Sequence, residues 1–292
     1  MFDRILVPTD GSDVALNAAD SAVRLAARFD ATLHVLHVLE LGELPPGIED
    51  ADADEFAHVG ETAIDELTSA AGDAGVETAT DVVESHGPTH EVIVEFANEH
   101  AADLVVMGTH GRTGLDRFVL GSVTERTLRE SDVPVLTVHE GGSLPANLDL
   151  ENVLVPIDGS QSADAALALG IDLAAETDAT LHLITLVDTS KPWHRAASGE
   201  TQEAVDELGK DVLDNALLRA EATDVGTIEG SVGRGKPETA ILEYAADHDA
   251  DCIVMGTHGR SGLNRYLLGS VTEHVVRTAD APVLSVRAVE DQ

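Results

Sequence analysis

Ile5-Leu6-Val7-Pro8-Thr9-Asp10-Gly11-Ser12 recurs as Val153-Leu154-Val155-Pro156-Ile157-Asp158-Gly159-Ser160, 148 positions later (158 minus 10). In each, an apolar run is followed by a proline, an acidic residue, a glycine and a helix-capping serine. That is how a buried strand passes into a helix. Gly108 and Gly256, and Pro134 and Pro282, keep the same offset, and residues 108–138 match residues 256–286 at 20 of 31 positions. Three anchors at one spacing make the chain a duplication. A period of this size is a domain, not the short repeat of a solenoid.

Outward from the first segment, periodicity alternates between strand and helix. Residues 4–9 read as a strand, 14–29 as a helix, 32–39 as a strand, and 41–54 as a Pro-containing acidic loop. A helix over 56–71, a weaker strand over 77–83, a helix over 90–100 and a buried strand over 104–107 follow. A helix over 123–131 and a strand over 135–138 complete the copy, and the second copy repeats the order. Strands alternating with helices imply a parallel sheet with right-handed crossovers, so each copy is predicted to be a doubly wound, Rossmann-like α/β domain. Glu140-Gly141-Gly142-Ser143-Leu144-Pro145-Ala146-Asn147 has linker composition. The predicted division is residues 1–140, a linker over 141–149 with the boundary near 146, and residues 150–292.

The composition suits that reading. Hydrophobic residues make up 43% of the 292 and aromatics only 3%, so the cores are expected to be aliphatic. The 54 acidic residues outnumber 17 basic ones, a formal net charge of −37. Regular apolar patterning argues against disorder, and such a surface suits a halophile's cytoplasm, where molar salt screens self-repulsion. Nucleic acid is not an expected partner, because no basic stripe exists to displace counterions. Cys252, the single cysteine, falls in an apolar run; a buried thiol in a reducing compartment is expected. With no leader-like start and no long apolar stretch, the expected location is cytoplasmic and away from membranes.

Ligands of open α/β sheets sit beyond the carboxyl ends of the strands, where strand order reverses. Two segments leave strand ends there with unusual residues. One is Pro8-Thr9-Asp10-Gly11-Ser12. The other is Gly108-Thr109-His110-Gly111, continuing through Arg112 to Gly121-Ser122-Val123-Thr124. Gly108 and Gly111 would let a ligand approach the backbone closely. Gly121-Ser122 opens a helix whose free amides and dipole form an anion site, with the Ser122 and Thr124 hydroxyls as further donors. Asp10 would repel phosphate and suits a ribose hydroxyl or a base edge. The second copy offers Asp158, Gly256, His258, Gly259, Arg260, Gly269, Ser270 and Thr272. The same residues also admit a structural reading, with Asp10 as a helix cap and the glycines serving turns alone.

Val7-Pro8-Thr9-Asp10-Gly11-Ser12, Met107-Gly108-Thr109-His110-Gly111-Arg112 and Gly121-Ser122-Val123-Thr124 together resemble the ATP-binding class of the universal stress protein family, over both halves nearly end to end. The resemblance implies a five-stranded parallel sheet of order 3-2-1-4-5 in each copy. It implies ATP or another adenine nucleotide as ligand, with Mg or Mn bridging the phosphates. Implied contacts in copy one are Pro8, Thr9, Asp10, Val38, Met107, Gly108, His110, Gly111, Gly121, Ser122, Val123 and Thr124. In copy two they are Pro156, Ile157, Asp158, Leu186, Met255, Gly256, His258, Gly259, Gly269, Ser270, Val271 and Thr272. Ile157 lacks the hydroxyl of Thr9, which removes one polar contact. The last strands of the copies resemble those that pair between subunits in the family, so an internal pseudo-dimer is expected, with further self-association left open.

The two copies differ after strand two. Copy one is acidic there (Glu43, Glu49, Asp50, Asp52, Asp54, Glu55), whereas copy two carries Lys191, Trp193, His194 and Arg195. Arg234 and Lys236 stand where copy one has His86 and Pro88. Copy two is therefore expected to hold polyphosphate more tightly at low salt; surface ion pairing is the other use for these residues. Gly235-Lys236 is followed by Pro237, which excludes a P-loop, and no Gly-x-Ser-x-Gly elbow is present. The 13 histidines include no His-Glu-x-x-His and no Cys/His cluster, so no protein-ligated metal and no catalytic residue is expected. The leading function is a nucleotide-dependent stress regulator. A slow ATP hydrolase using His110 or His258, and a scaffold without nucleotide, are the alternatives.

Overall fold

The structure is a computed structural model that describes residues 1–40, 50–111, 120–188, 202–259 and 268–288. The chain divides into two compact units, Met1–Leu148 and Asp149–Gln292. In the first, β1 (Arg4–Pro8), α1 (Asp13–Phe29), β2 (Thr32–Glu40), α2 (Asp50–Asp73) and β3 (Thr78–Ser85) lead to α3 (Thr89–Glu99). Then come β4 (Leu104–Gly108), α4 (Ser122–Glu130) and β5 (Val135–Val138). The second unit contains β6 (Asn152–Ile157), α5 (Gln161–Thr177), β7 (Thr180–Asp188), α6 (Gln202–Glu221), β8 (Thr227–Gly235), α7 (Pro237–Asp247), β9 (Cys252–Gly256), α8 (Ser270–Thr278) and β10 (Val283–Val286).

The first sheet runs β3-β2-β1-β4-β5 and the second β8-β7-β6-β9-β10, every described pairing within a unit being parallel. The expected order 3-2-1-4-5 therefore holds in both. β4 is buried at all five positions because helices cover both faces. Val, Leu and Ile fill the strands, while alanines at 15, 18, 19, 22 and 26 bring α1 close to them.

One element departs from expectation. Residues 50–54 read as loop but begin α2. Acidic residues in the first turns of a helix complement its dipole, so a stretch that looks like a solvated loop is also a good helix start. The linker-like segment after β5 is packed onto the first unit. Asn17 donates to the His139 carbonyl (2.7 Å) and Arg24 to that of Leu144, while Leu144 and Leu148 are buried.

A duplicated carboxylate joins the amino ends of the central strands. Asp103 Oδ2 accepts from the backbone N–H groups of Asp3 (2.8 Å) and Arg4 (2.9 Å). Asp251 Oδ2 does the same for Glu151 (2.7 Å) and Asn152 (2.9 Å). These bonds satisfy amides that begin a strand and have no ladder partner.

Cys252 is wholly buried in β9, and burial, reinforced by the Asp251 charge, pushes its thiol up to about 12. At pH 8 only about one molecule in ten thousand would carry the thiolate. Native protein is therefore expected to resist iodoacetamide at pH 8 and to react fully once unfolded. Stoichiometric labelling of the folded chain, read by mass spectrometry, would contradict the placement of this strand.

Candidate functional site

β1 lies between β2 and β4, with Pro8 opposite Leu36 and Leu6 opposite Val105. The chain moves outward through β2 and β3, then returns to the other flank of β1 as β4. This makes the carboxyl ends of β1 and β4 the switch point of the sheet.

The loop after β1 is held by several bonds. The Thr9 N–H donates to the Leu36 carbonyl (2.9 Å), and the Thr9 carbonyl accepts from the buried His37 Nδ1 (2.7 Å). Asp10 Oδ1 accepts from the Ser12 N–H (3.0 Å) and the Ser12 hydroxyl (2.6 Å). Gly11 adopts φ 76°, and Ser12 Oγ accepts from the Ala15 N–H (3.3 Å), capping α1. Ser12 is thus the cap, and Asp10 braces it through an Asx turn. The second Asp10 oxygen lies where a side chain on Gly111 would begin. The carboxylate therefore packs against the β4 loop at Gly111.

The glycines divide by role, and Gly108 and Gly111, expected to open the backbone to a ligand, also clear neighbouring protein atoms. A Cβ on Gly108 would come 2.8 Å from Val14 Cγ1, and one on Gly256 would come 2.7 Å from the Ser162 carbonyl carbon. These two glycines let α1 and α5 pack closely on β4 and β9. Gly111 and Gly259 make room for Asp10 and Asp158, a Cβ on Gly259 falling 2.8 Å from Asp158 Oδ2.

Gly121 and Gly269 shape the helix starts. Each donates its own N–H to a strand-end carbonyl, Thr109 or Thr257, at 2.8 Å, and neither α4 nor α8 has a side-chain cap. The first intrahelical donors are Glu125 to the Gly121 carbonyl and Glu273 to the Gly269 carbonyl, both 2.8 Å. The amides of residues 122–124 and 270–272 thus precede the helical ladder. Ser122 and Ser270 are exposed beside them.

Thr124 and Thr272 behave differently from expectation. Both are buried and donate their hydroxyls to the Gly108 (2.9 Å) and Gly256 (2.8 Å) carbonyls. They fasten the helix to the strand end. Met107 and Met255 are buried at the strand ends, while Val38 and Leu186 are partly exposed near the carboxyl ends of β2 and β7. His110 and His258 turn Nδ1 toward the hydroxyls of Thr109 (3.2 Å) and Thr257 (2.9 Å). Val123, Val271, Pro156 and Ile157 occupy the expected helix-start and strand-end positions.

In copy two, Asp158 Oδ1 accepts from the Ser160 N–H (2.9 Å), but Ser160 Oγ donates to the His258 carbonyl (3.2 Å). Arg112, Arg260, Lys191, Trp193, His194 and Arg195 lie outside the described residues, as do Glu43 and Glu49. Thr109, Thr257 and His37 were not singled out from sequence. Both threonines sat inside the repeated motif, whereas His37, whose ring occupies the space beside Gly60, gave no local signal.

The geometry suits an anion. Amides without a side-chain cap stand at two glycine-led helix starts at the switch point of the sheet, and helix N-termini of this kind favour negative charge. Known proteins agree on the class of molecule. The universal stress protein family model matches residues 1–139 and again 150–287, and the chain belongs to that family. A universal stress protein of Mycolicibacterium smegmatis is 30% identical over 297 residues, covering 97% of this chain and 96% of the relative. One from Methanocaldococcus jannaschii is 39% identical over 144 residues, 48% of this chain and 84% of the relative. The crystal structure of a universal stress protein from Archaeoglobus fulgidus shares the fold with a TM-score of 0.75 at 24% identity, over 99% of this chain and 98% of that one.

Proposed function

We propose that this universal stress protein binds an adenine nucleotide, ATP foremost, in each unit, and that occupancy governs its interaction with a partner in a salt-rich cytosol. The observation that carries the reading is the pair of uncapped helix starts at Gly121 and Gly269, each pinned to a strand-end threonine carbonyl. The phosphates would meet the amides of residues 122–124 and 270–272 and the Ser122 and Ser270 hydroxyls. Mg or Mn bound to the nucleotide would offset the negative surroundings. Asp10 and Asp158, already oriented by Ser12 and Ser160, would take the ribose.

A Cβ on Gly121 would lie 3.1 Å from His110 Cα, so a branched side chain there crowds the cradle itself. Gly121→Val and Gly269→Val are each expected to weaken ATP at the altered unit by at least about tenfold, roughly 1.4 kcal/mol, and to spare the other. In calorimetric titration with Mg-ATP the Gly121→Val protein retains the tighter site at low salt, because Arg234 and Lys236 flank the strand end in copy two. Full affinity in the double variant would remove the proposal. So would a purified protein that releases no nucleotide on denaturation and takes up none when titrated.

A further inference from the structure

Away from the carboxyl ends of the strands, the fold repeats a second constellation. His182 near the start of β7, Tyr244 in α7 and His248 at its C-cap stand 148 positions after His34, Phe96 and His100. A carboxylate from the edge-ward strand joins each set: Glu229 of β8 and Asp81 of β3. In the second unit, one ligand atom each of His182, Glu229 and His248 lie within 4.8 Å of one another. Among the described residues no other His, Cys, Asp and Glu side chains form such a trio.

The hydrogen bonds decide which nitrogens are available. His248 Nδ1 lies 3.0 Å from the Tyr244 carbonyl, an acceptor only, so this nitrogen carries the proton and Nε2 keeps its lone pair. His182 Nε2 lies 3.0 Å from Asn152 Oδ1, which likewise makes it the donor. His182 Nδ1 then bears the lone pair, 3.2 Å from the Tyr244 hydroxyl and 3.6 Å from Glu229 Oε2. Metal-binding histidines are held in this way, with the second ring nitrogen bonded to an oxygen that fixes ring and tautomer. Tyr244 stacks on His248 with ring centroids 3.8 Å apart, setting that ring's plane. Glu229 is exposed, which leaves a route from solvent.

The first unit keeps the His100 Nδ1 bond to the Phe96 carbonyl (3.0 Å) and the Phe96–His100 stack (3.8 Å) but lacks the groups that hold the other histidine. Arg4 stands in place of Asn152 and Phe96 in place of Tyr244. Arg4 lines a cavity with His34, Phe96 and His100 and donates from Nη1 to the His100 carbonyl (2.9 Å), a fixed positive charge beside these rings that disfavours a cation. His34 Nε2 is engaged with Asp81 Oδ2 at 2.7 Å.

We propose that His182, Glu229 and His248 form a binding site for one divalent transition-metal ion of the zinc and cobalt type, at the end of the sheet opposite the nucleotide cradle. Two imidazoles and a carboxylate are a common ligand set for such ions, with water completing the shell. On binding, the Tyr244 hydroxyl releases His182 Nδ1 and turns to the carboxylate or to the metal-bound water. Metal loading ties β7, β8 and α7 together in one unit only.

The test is titration of chelator-treated, full-length protein with Co2+ in about 1 M KCl, where exposed carboxylates are screened, followed by displacement with Zn2+. One equivalent is expected to give the intense visible absorption of low-coordinate, nitrogen-ligated cobalt, bleached by zinc. His248→Ala, at a half-exposed position, abolishes the band, and Asn152→Ala, which frees the His182 ring, weakens binding about tenfold. His100→Ala in the first unit changes neither. Circular dichroism confirms the fold of each variant. Pale octahedral cobalt alone, or an undiminished band in His248→Ala, overturns the proposal.

Discussion

Gly256→Ala is expected to destabilise the second unit by about 2–3 kcal/mol, the upper part of the usual range for overpacking. The added Cβ would stand 2.7 Å from the Ser162 carbonyl carbon and 2.8 Å from the Ala163 nitrogen. Both are backbone atoms in the first turn of α5, and neither can rotate aside. Relief requires the helix to lift from β9, disturbing the buried packing of Ala163, Ala166 and Leu167. Gly108→Ala should cost less, about 1 kcal/mol, because its closest neighbour is the Val14 side chain at 2.8 Å and the α1 backbone is at 3.2 Å. Gly72→Ala is the internal control. It lies in α2 with nothing within 4 Å of its added Cβ, so helix propensity alone should stabilise it by about 0.5–1 kcal/mol. Denaturant unfolding or calorimetry that resolves the two units ranks the three. Equal midpoints for Gly256→Ala and Gly72→Ala would mean that these strand-end glycines serve something other than helix packing.

The same glycines show what could be read from the sequence. Their spacing, and its repetition 148 residues on, placed the switch point of the sheet and the helix starts of both copies. It could not assign each glycine a task. Gly108, Gly111 and Gly121 are alike as letters, yet one clears a helix, one a carboxylate and one a strand-end loop. That distinction depends on atoms that folding brings up, Val14 of α1 beside Gly108, Asp10 after β1 beside Gly111, and the loop after β4 beside Gly121. Thr124 misled for the same reason: its neighbours suggested a free donor, while the Gly108 carbonyl beside it becomes visible only in the folded chain. The His182, Glu229 and His248 trio comes from a strand, a second strand and a helix end. A search for closely spaced ligands passes over it. Strand alternation was legible because a parallel sheet covered on both faces leaves continuous apolar runs. The beginning of α2 was not, since acidic residues serve a helix N-terminus as well as they serve a loop.

Raising KCl from about 0.1 M to about 2 M at pH 7 is expected to increase the melting temperature by about 10 °C, equivalent to roughly 3–4 kcal/mol for domains of this size. The formal charge of −37 over 292 residues is repulsive at almost every separation across the surface. At 0.1 M the screening length is about 10 Å, and at 1 M it is about 3 Å. Salt therefore removes a repulsion that the more expanded unfolded chain suffers less. The pH dependence separates this cause from salting-out of apolar surface. The sequence pI is about 4.3, so as pH falls toward it, carboxylates take up protons and the net charge approaches zero. If repulsion is the origin, the gain from KCl should shrink to a few degrees near pH 4.5. If the salt acts on apolar hydration, the gain is indifferent to the charge and sulfate should far exceed chloride at both pH values. An equal gain from KCl at pH 7 and pH 4.5 would thus detach the surplus of carboxylates from salt tolerance, and with it the salt-rich cytosol in which this protein is proposed to work.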